Sequence, residues 1–123
     1  MSQIRSIRTL ALGASFMIAF GVTAAEAQNK FGAIAYNKSS GRYGYSYNYN
    51  SRGEAEDRAL SECTGSCDIV VWFKNACGAL ATGNGGWGAA WAPSRRGAEN
   101  KAVDACSEHA NNCSVIRWVC TDR

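Results

Sequence analysis

Histidine and proline each occur once in the 123 residues, as His109 and Pro93, and Arg95-Arg96 is the only adjacent basic pair. These scarcities exclude several chemistries. One histidine cannot furnish a histidine-rich metal centre, and a hydrolytic triad would need a serine and a carboxylate to meet His109 in space. His109 sits between Cys106 and Cys113, where it reads as an exposed loop residue at a helix end. There is no G-x-S-x-G nucleophile elbow and no G-K-[ST] phosphate loop. The glycines between positions 83 and 88 predict a hairpin turn instead. With 13 Lys and Arg against 10 Asp and Glu, net charge is only +3. The basic residues are scattered, without the patch that nucleic-acid binding requires. No apolar run approaches the roughly 20 residues of a membrane-spanning helix.

An uncharged, mostly apolar run of 14 residues, Thr9 to Val22, follows Arg5 and Arg8 and precedes Ala25-Glu26-Ala27. A basic start, a short apolar stretch and small residues at a cleavage point form an export signal. Residues 1–27 are therefore expected to be removed after Ala27. Gln28 to Arg123 would remain as a single cysteine-rich domain, secreted or periplasmic, with no stable membrane insertion once the signal is gone.

All six cysteines, Cys63, Cys67, Cys77, Cys106, Cys113 and Cys120, fall in that mature part. Their spacings lack C-x-x-C, which argues against zinc and against a redox-active pair. An even number in a short exported chain predicts three disulfides, and no cofactor is expected.

The mature chain is written twice. Gly32-Ala-Ile-Ala-Tyr36 matches Gly78-Ala-Leu-Ala-Thr82, and the stretch 43–48 matches 87–92. Ser51 to Cys63 matches Ser94 to Cys106 with Ser, Arg, Ala, Glu, Ala and Cys in register, and Cys67 to Phe73 matches Cys113 to Val119. Two copies, about 31–74 and 77–120, indicate a pseudo-symmetric domain; a solenoid would need three or more. Each copy reads strand, strand, helix, strand. Ser51 with Glu54 three residues on is a capping box. The second copy has Gly97 in place of Glu54, which leaves that helix start less defined. Ala55, Ala59, Leu60 and Cys63 share one helical face, as do Ala98, Ala102, Val103 and Cys106. The expected fold is α+β: two ββαβ repeats forming a mostly antiparallel sheet, with two helices on one face. Symmetry favours the disulfides Cys63–Cys67 and Cys106–Cys113 and leaves Cys77 to Cys120.

Taken together, GAIAY, YGYSYNY, SRGEAEDRALSEC, VVWFKNACGALA and the ending CSVIRWVC resemble the bacterial domain of unknown function family numbered 4189. The resemblance runs from about Phe31 to Cys120. It implies a small exported α+β domain with paired cysteines, of a family whose discussed members are secreted, some suspected of acting on host cells. It carries no catalytic residues.

Tyr43, Tyr45, Tyr47 and Tyr49 alternate along one predicted strand, which predicts a single aromatic face. In the second copy Trp87 and Trp91 stand for Tyr43 and Tyr47, so those two are expected in the shared core. Trp72 and Trp118 also correspond and are read as core. Tyr45 and Tyr49 have no ring opposite them and are free for binding. Asn48 on the other strand face, with Arg42 and Arg52 flanking, could supply hydrogen bonds. Glu54, Glu56, Asp57 and Glu62 surround a capped helix and read as its solvated face, not as a glycosidase pair. The expectation is an exported binding or interaction module with no catalysis of its own. Its partner would be a host or competitor protein or an envelope glycan. A small hydrolase of cell-wall material and a purely structural envelope protein are the alternatives.

Overall fold

The computed structural model describes residues 29–122; the expected signal segment and its cleavage point lie outside them. In chain order the elements are β1 (Phe31–Tyr36), β2 (Tyr43–Tyr49), α1 (Arg52–Ser61), β3 (Asp68–Lys74), β4 (Cys77–Asn84), β5 (Gly86–Ala92), α2 (Arg95–Ser107) and β6 (Asn111–Cys120). The chain is α+β, and each ββαβ unit builds its own antiparallel sheet, in the order β2-β1-β3 and β5-β4-β6. Corresponding registers repeat: Ala33 faces Trp72 as Ala79 faces Trp118, and Ile34 faces Val71 as Leu80 faces Arg117. Both third strands then slip by one residue, at Val70 and at Ile116.

The antiparallel pairing is thus shared between two three-stranded sheets, one per repeat, and one helix lies on each outer face instead of both on a common one. The central strands show why. Ala33, Ala35, Ala79 and Ala81 alternate with Ile34, Tyr36 and Leu80, so one face of each sheet is small and the other large. The small face takes a helix. Ala55, Ala59 and Cys63 pack on Ala33 and Ala35, while Ala98, Ala102 and Cys106 pack on Ala79 and Ala81. The large faces meet each other around Ile34, Tyr36, Val71, Phe73, Leu80 and Val119. The result is four layers, helix, sheet, sheet, helix, with β3 against β5 and β6 against β2 about an approximate twofold axis.

Glycine sets the close approaches. A Cβ on Gly44 would overlap the carbonyl of Ala59 and the amide of Cys63, and one on Gly88 would overlap Ala102 and Cys106 in the same way. Each helix backbone therefore rests directly on an edge strand. At the centre, Gly32 and Gly78 flank the Phe73 ring. Both helices begin on a serine. Ser51 Oγ accepts from the Glu54 N–H and Ser94 Oγ from the Gly97 N–H, each at 3.1 Å. The second start is well formed because the hydroxyl alone caps it. Cys63–Cys67 and Cys106–Cys113 tie each helix end to the next strand, and Cys77–Cys120 joins two register partners of one sheet.

Four expectations about side-chain placement are corrected. Leu60 is exposed, beyond the width of the alanine stripe. Trp72 and Trp118 are not core residues; they are 37% and 38% exposed. They project from the helix side of their sheets, where the helix lies too close to admit an indole, and each sits under an arginine from the first helical residue. Arg52 lies 4.3 Å over Trp72 and Arg95 lies 3.8 Å over Trp118, and each arginine also pairs with Glu56 or Glu99 one turn on. Tyr47 and Trp91 are 51% exposed, outside the core assigned to them. Finally, the four tyrosines do not share one face. Phe31 pairs with Tyr49 and Ala33 with Ser46, so Tyr47 and Asn48 together oppose Gly32. Asn48 takes φ 64°, a left-handed conformation asparagine tolerates, and this bulge turns Tyr49 to the helix side.

Candidate functional site

The twofold creates two seams between the sheets, β2 with β6 and β3 with β5, and the sequence fills them differently. At the first, Tyr43 and Tyr45 enclose Arg117, whose guanidinium lies 5.4 and 4.5 Å from their ring centres. It donates to the Tyr43 hydroxyl at 3.2 Å. Nearby, Asn48 exchanges two hydrogen bonds with Asp122, donating from Nδ2 at 3.0 Å and accepting from the Asp122 N–H at 2.7 Å. This seam is closed.

At the second seam the repeat places Trp87, Ala89 and Val71 where the first has Tyr43, Tyr45 and Arg117. Trp87 turns onto Tyr36, with ring centres 5.6 Å apart. Ala89 and Val71 are too small to reproduce the tyrosine–arginine filling. Beside Val71 lies an open groove of about 430 Å³ lined by Val71, Trp72, Phe73, Lys74 and Trp91, whereas Ala89 lines the separate hollow at His109. Its walls are mostly hydrocarbon and indole, and Lys74 is the one charged side chain among them. Phe31 stacks behind Trp72 at 6.4 Å, and the Lys101 ammonium stands 5.9 Å from the Trp91 ring centre. Aromatic rings held from behind, half exposed and facing a concave surface, suit the capture of an apolar group.

The residues singled out from the sequence are partly brought together. Tyr45, Asn48 and Tyr49 line a second, more open groove of about 510 Å³ beside α1, along with Tyr47 and the ion pair Arg58–Glu62, which closes at 2.7 Å. Tyr45 and Tyr49 are both half-buried there. Arg42 lies at the opposite end of β2, in the β1–β2 turn, where its carbonyl accepts from the Asn37 N–H. Arg52 is held by Trp72 and Glu56. Neither arginine lines that groove.

His109 is exposed at the end of α2 and lines a third hollow with Val70, Gly85 to Ala89 and Ala105, among which there is no carboxylate and no nucleophile. Glu56, Glu62 and Glu99 each pair with an arginine four residues earlier. Among the described residues no three His, Cys, Asp or Glu side chains gather as a metal site would require, and all six cysteines are bonded. Trp91 was read from the sequence as a shared core ring, and neither it nor Lys74 was singled out as a binding residue. The signal nearest to them is the mismatch of Val71 against Arg117, the position in the groove wall where one seam lacks the other's guanidinium.

Comparison with known proteins agrees with this architecture. The NMR structure of Rv1813c from Mycobacterium tuberculosis is similar, with a TM-score of 0.59 and 29% sequence identity over 74% of each chain. No curated protein matches. The model of the domain of unknown function DUF4189 matches residues 31–120. By that match, over nearly all of its repeated part, the chain belongs to the DUF4189 family.

Proposed function

We propose that the protein is an exported binding module without catalysis of its own, and that the groove between β3 and β5 is its contact surface. One observation carries the reading: an apolar groove lies open between Trp72 and Trp91, with Val71 in its wall where the other seam has Arg117 between two tyrosine rings. Export draws its support from three disulfides, which persist in oxidising compartments, and from the signal pattern before Gln28. Among the described residues no helix is long and apolar enough to cross a membrane. The partner class is a protein of a host or competitor, or an envelope glycan. A hydrolase gains no support from the hollow at His109, which offers an imidazole without a second catalytic group.

The test is retention on the immobilised, oxidised protein spanning Gln28 to Arg123. Purified envelope glycans and extracellular protein fractions are passed over it and over the Trp72→Ala/Trp91→Ala variant. Loss of two half-buried indoles should weaken a genuine ligand by about tenfold or more, as truncation of aromatic anchors does. Equal retention by both proteins would refute the groove as the contact surface. Intact mass of the protein recovered outside the cytoplasm reads cleavage after Ala27 directly.

A further inference from the structure

Resting on the reading of the β3/β5 seam as a contact surface, we propose that its occupant is an extended peptide of alternating apolar and acidic residues, added as a strand to the free edge of β3. Within its sheet β3 pairs with β1 alone. The phase of that ladder fixes what the other edge presents. The Asn75 N–H donates to the Lys30 carbonyl at 2.8 Å, toward β1, and every peptide bond described is trans. A trans peptide sets its C=O opposite its N–H, so the Lys74 carbonyl points away from β1. Alternation along an antiparallel pair then gives Val71 and Phe73 the inward bonds and leaves the N–H and C=O of Trp72 and Lys74 directed outward. Among the described residues no turn or cap hydrogen bond engages them. These groups lie on residues that line the groove.

A strand placed there sends successive side chains to opposite faces. One set extends the layer between the sheets, beside Val71, Phe73 and Trp91, and is required to be apolar. The other set lies beside Trp72 and Lys74. Lys74 is exposed and has no ion pair among the described residues, and the neighbouring Arg52 already holds Glu56. Carboxylates on this second set meet an uncommitted cation. A sugar fits less well, since the side chains of the lining offer only donors, the Lys74 ammonium and two indole N–H groups, and the free backbone groups alternate at the spacing of a strand. A second copy of the chain, paired antiparallel along the whole of β3, would bring Lys74 opposite Asp68, so dimerisation of the free protein in solution through this edge would overturn the peptide as its occupant. The other edge of this sheet, β2, carries its bulge at Asn48 among the residues that line its groove and is a poorer template, whereas the slip in β3 at Val70 lies outside the lining.

The experiment is a titration of the oxidised protein with a short capped peptide alternating valine and glutamate, followed by indole fluorescence and by amide NMR signals of β3. Saturable binding is expected, with the Trp72 and Lys74 amide signals shifting most. Lys74→Glu is expected to weaken it by about tenfold, which corresponds to about 1.4 kcal/mol. N-methylation of alternate peptide amides should abolish it, because the strand bonds are lost while the side chains remain. No binding, undiminished binding of the N-methylated peptide, or undiminished binding to Lys74→Glu would overturn the proposal. So would oligosaccharide binding that Trp91→Ala removes, an outcome that keeps the groove and discards only the peptide. If Trp91→Ala changes the binding of no probe, the contact surface itself is wrong.

Discussion

Phe73 offers the sharpest test of how the two repeats meet. Its ring is 1% exposed and lies between Gly32 and Gly78, one glycine from each sheet. A methyl group on Gly78 would come within 2.5 and 2.6 Å of two ring carbons, with no other atom in its way than that ring. Gly78→Ala should therefore force the ring aside. Overpacking costs about 1–3 kcal/mol, and the lost flexibility of glycine returns roughly 0.5–1, so the net loss is about 1 kcal/mol. Phe73→Ala alone leaves a cavity and should cost about 3–5 kcal/mol, a fall in melting temperature of roughly 15–30 °C. In that background the sign of the second substitution reverses. The new methyl enters the emptied space, and Gly78→Ala becomes stabilising by about 1 kcal/mol. The coupling between the sites is then about 2 kcal/mol, well above the limit for independent positions. Urea denaturation of the four oxidised proteins measures it, provided the slopes agree. An identical effect of Gly78→Ala in both backgrounds would refute the packing of the two sheets on a shared ring.

The disulfides should contribute unequally. Cys77–Cys120 spans 43 residues of sequence and Cys63–Cys67 spans 4, so in the chain-entropy model replacing both partners by serine costs about 4 kcal/mol for the first and about 2 for the second. Denaturant midpoints of the two paired variants test this, and equal losses would rule out loop closure as the main effect. Arg117 has a buried Nε with no hydrogen-bond partner among the described residues and no carboxylate beside it, although its terminal nitrogen reaches Tyr43. Arg117→Met keeps the length and removes the unsatisfied donor, so it should leave stability unchanged or raise it by about 1 kcal/mol. A loss above 1 kcal/mol in the same assay would show that the tyrosine–guanidinium stack holds the seam together.

Much of the fold was legible because the chain states it twice. The α+β class, the ββαβ order, the antiparallel pairing and the helices resting on alanines follow from motifs that occur in register. The side-chain geography was less legible, for physical reasons. Alternation of Tyr43, Tyr45, Tyr47 and Tyr49 implies one face only while the strand is regular, and a single left-handed residue at Asn48 turns Tyr49 over. Trp72 and Trp118 look like core residues in any apolar strand. Their exposure follows from how closely an alanine-faced helix approaches its sheet, a distance that the glycines at 44 and 88 decide and no periodicity displays. Of the residues proposed from sequence, Tyr45, Asn48 and Tyr49 meet in one groove, whereas Arg42 and Arg52 are separated from it because a strand end and a helix start carry them elsewhere.

The divergence between the copies falls into two kinds, and they carry different weight. Near a twofold axis a large residue excludes its own symmetry mate. Phe73 fills the space between Gly32 and Gly78, so its counterpart has to be smaller, and it is Val119. That difference is imposed by packing and implies nothing more. Away from the axis no such exclusion operates. The seam that joins β2 to β6 shows that tyrosine and arginine side chains fit between these sheets, and positions 89 and 71 are the corresponding places on β5, which runs without the bulge of β2, and on β3. Ala89 and Val71 are therefore not a steric requirement of the duplicated fold. Their small size bears on the filling of the seam and not on the rings beside it: Trp72 and Trp91 are 37% and 51% exposed, as their counterparts Trp118 and Tyr47 are 38% and 51% exposed, so the exposure of these rings belongs to the architecture that both copies share.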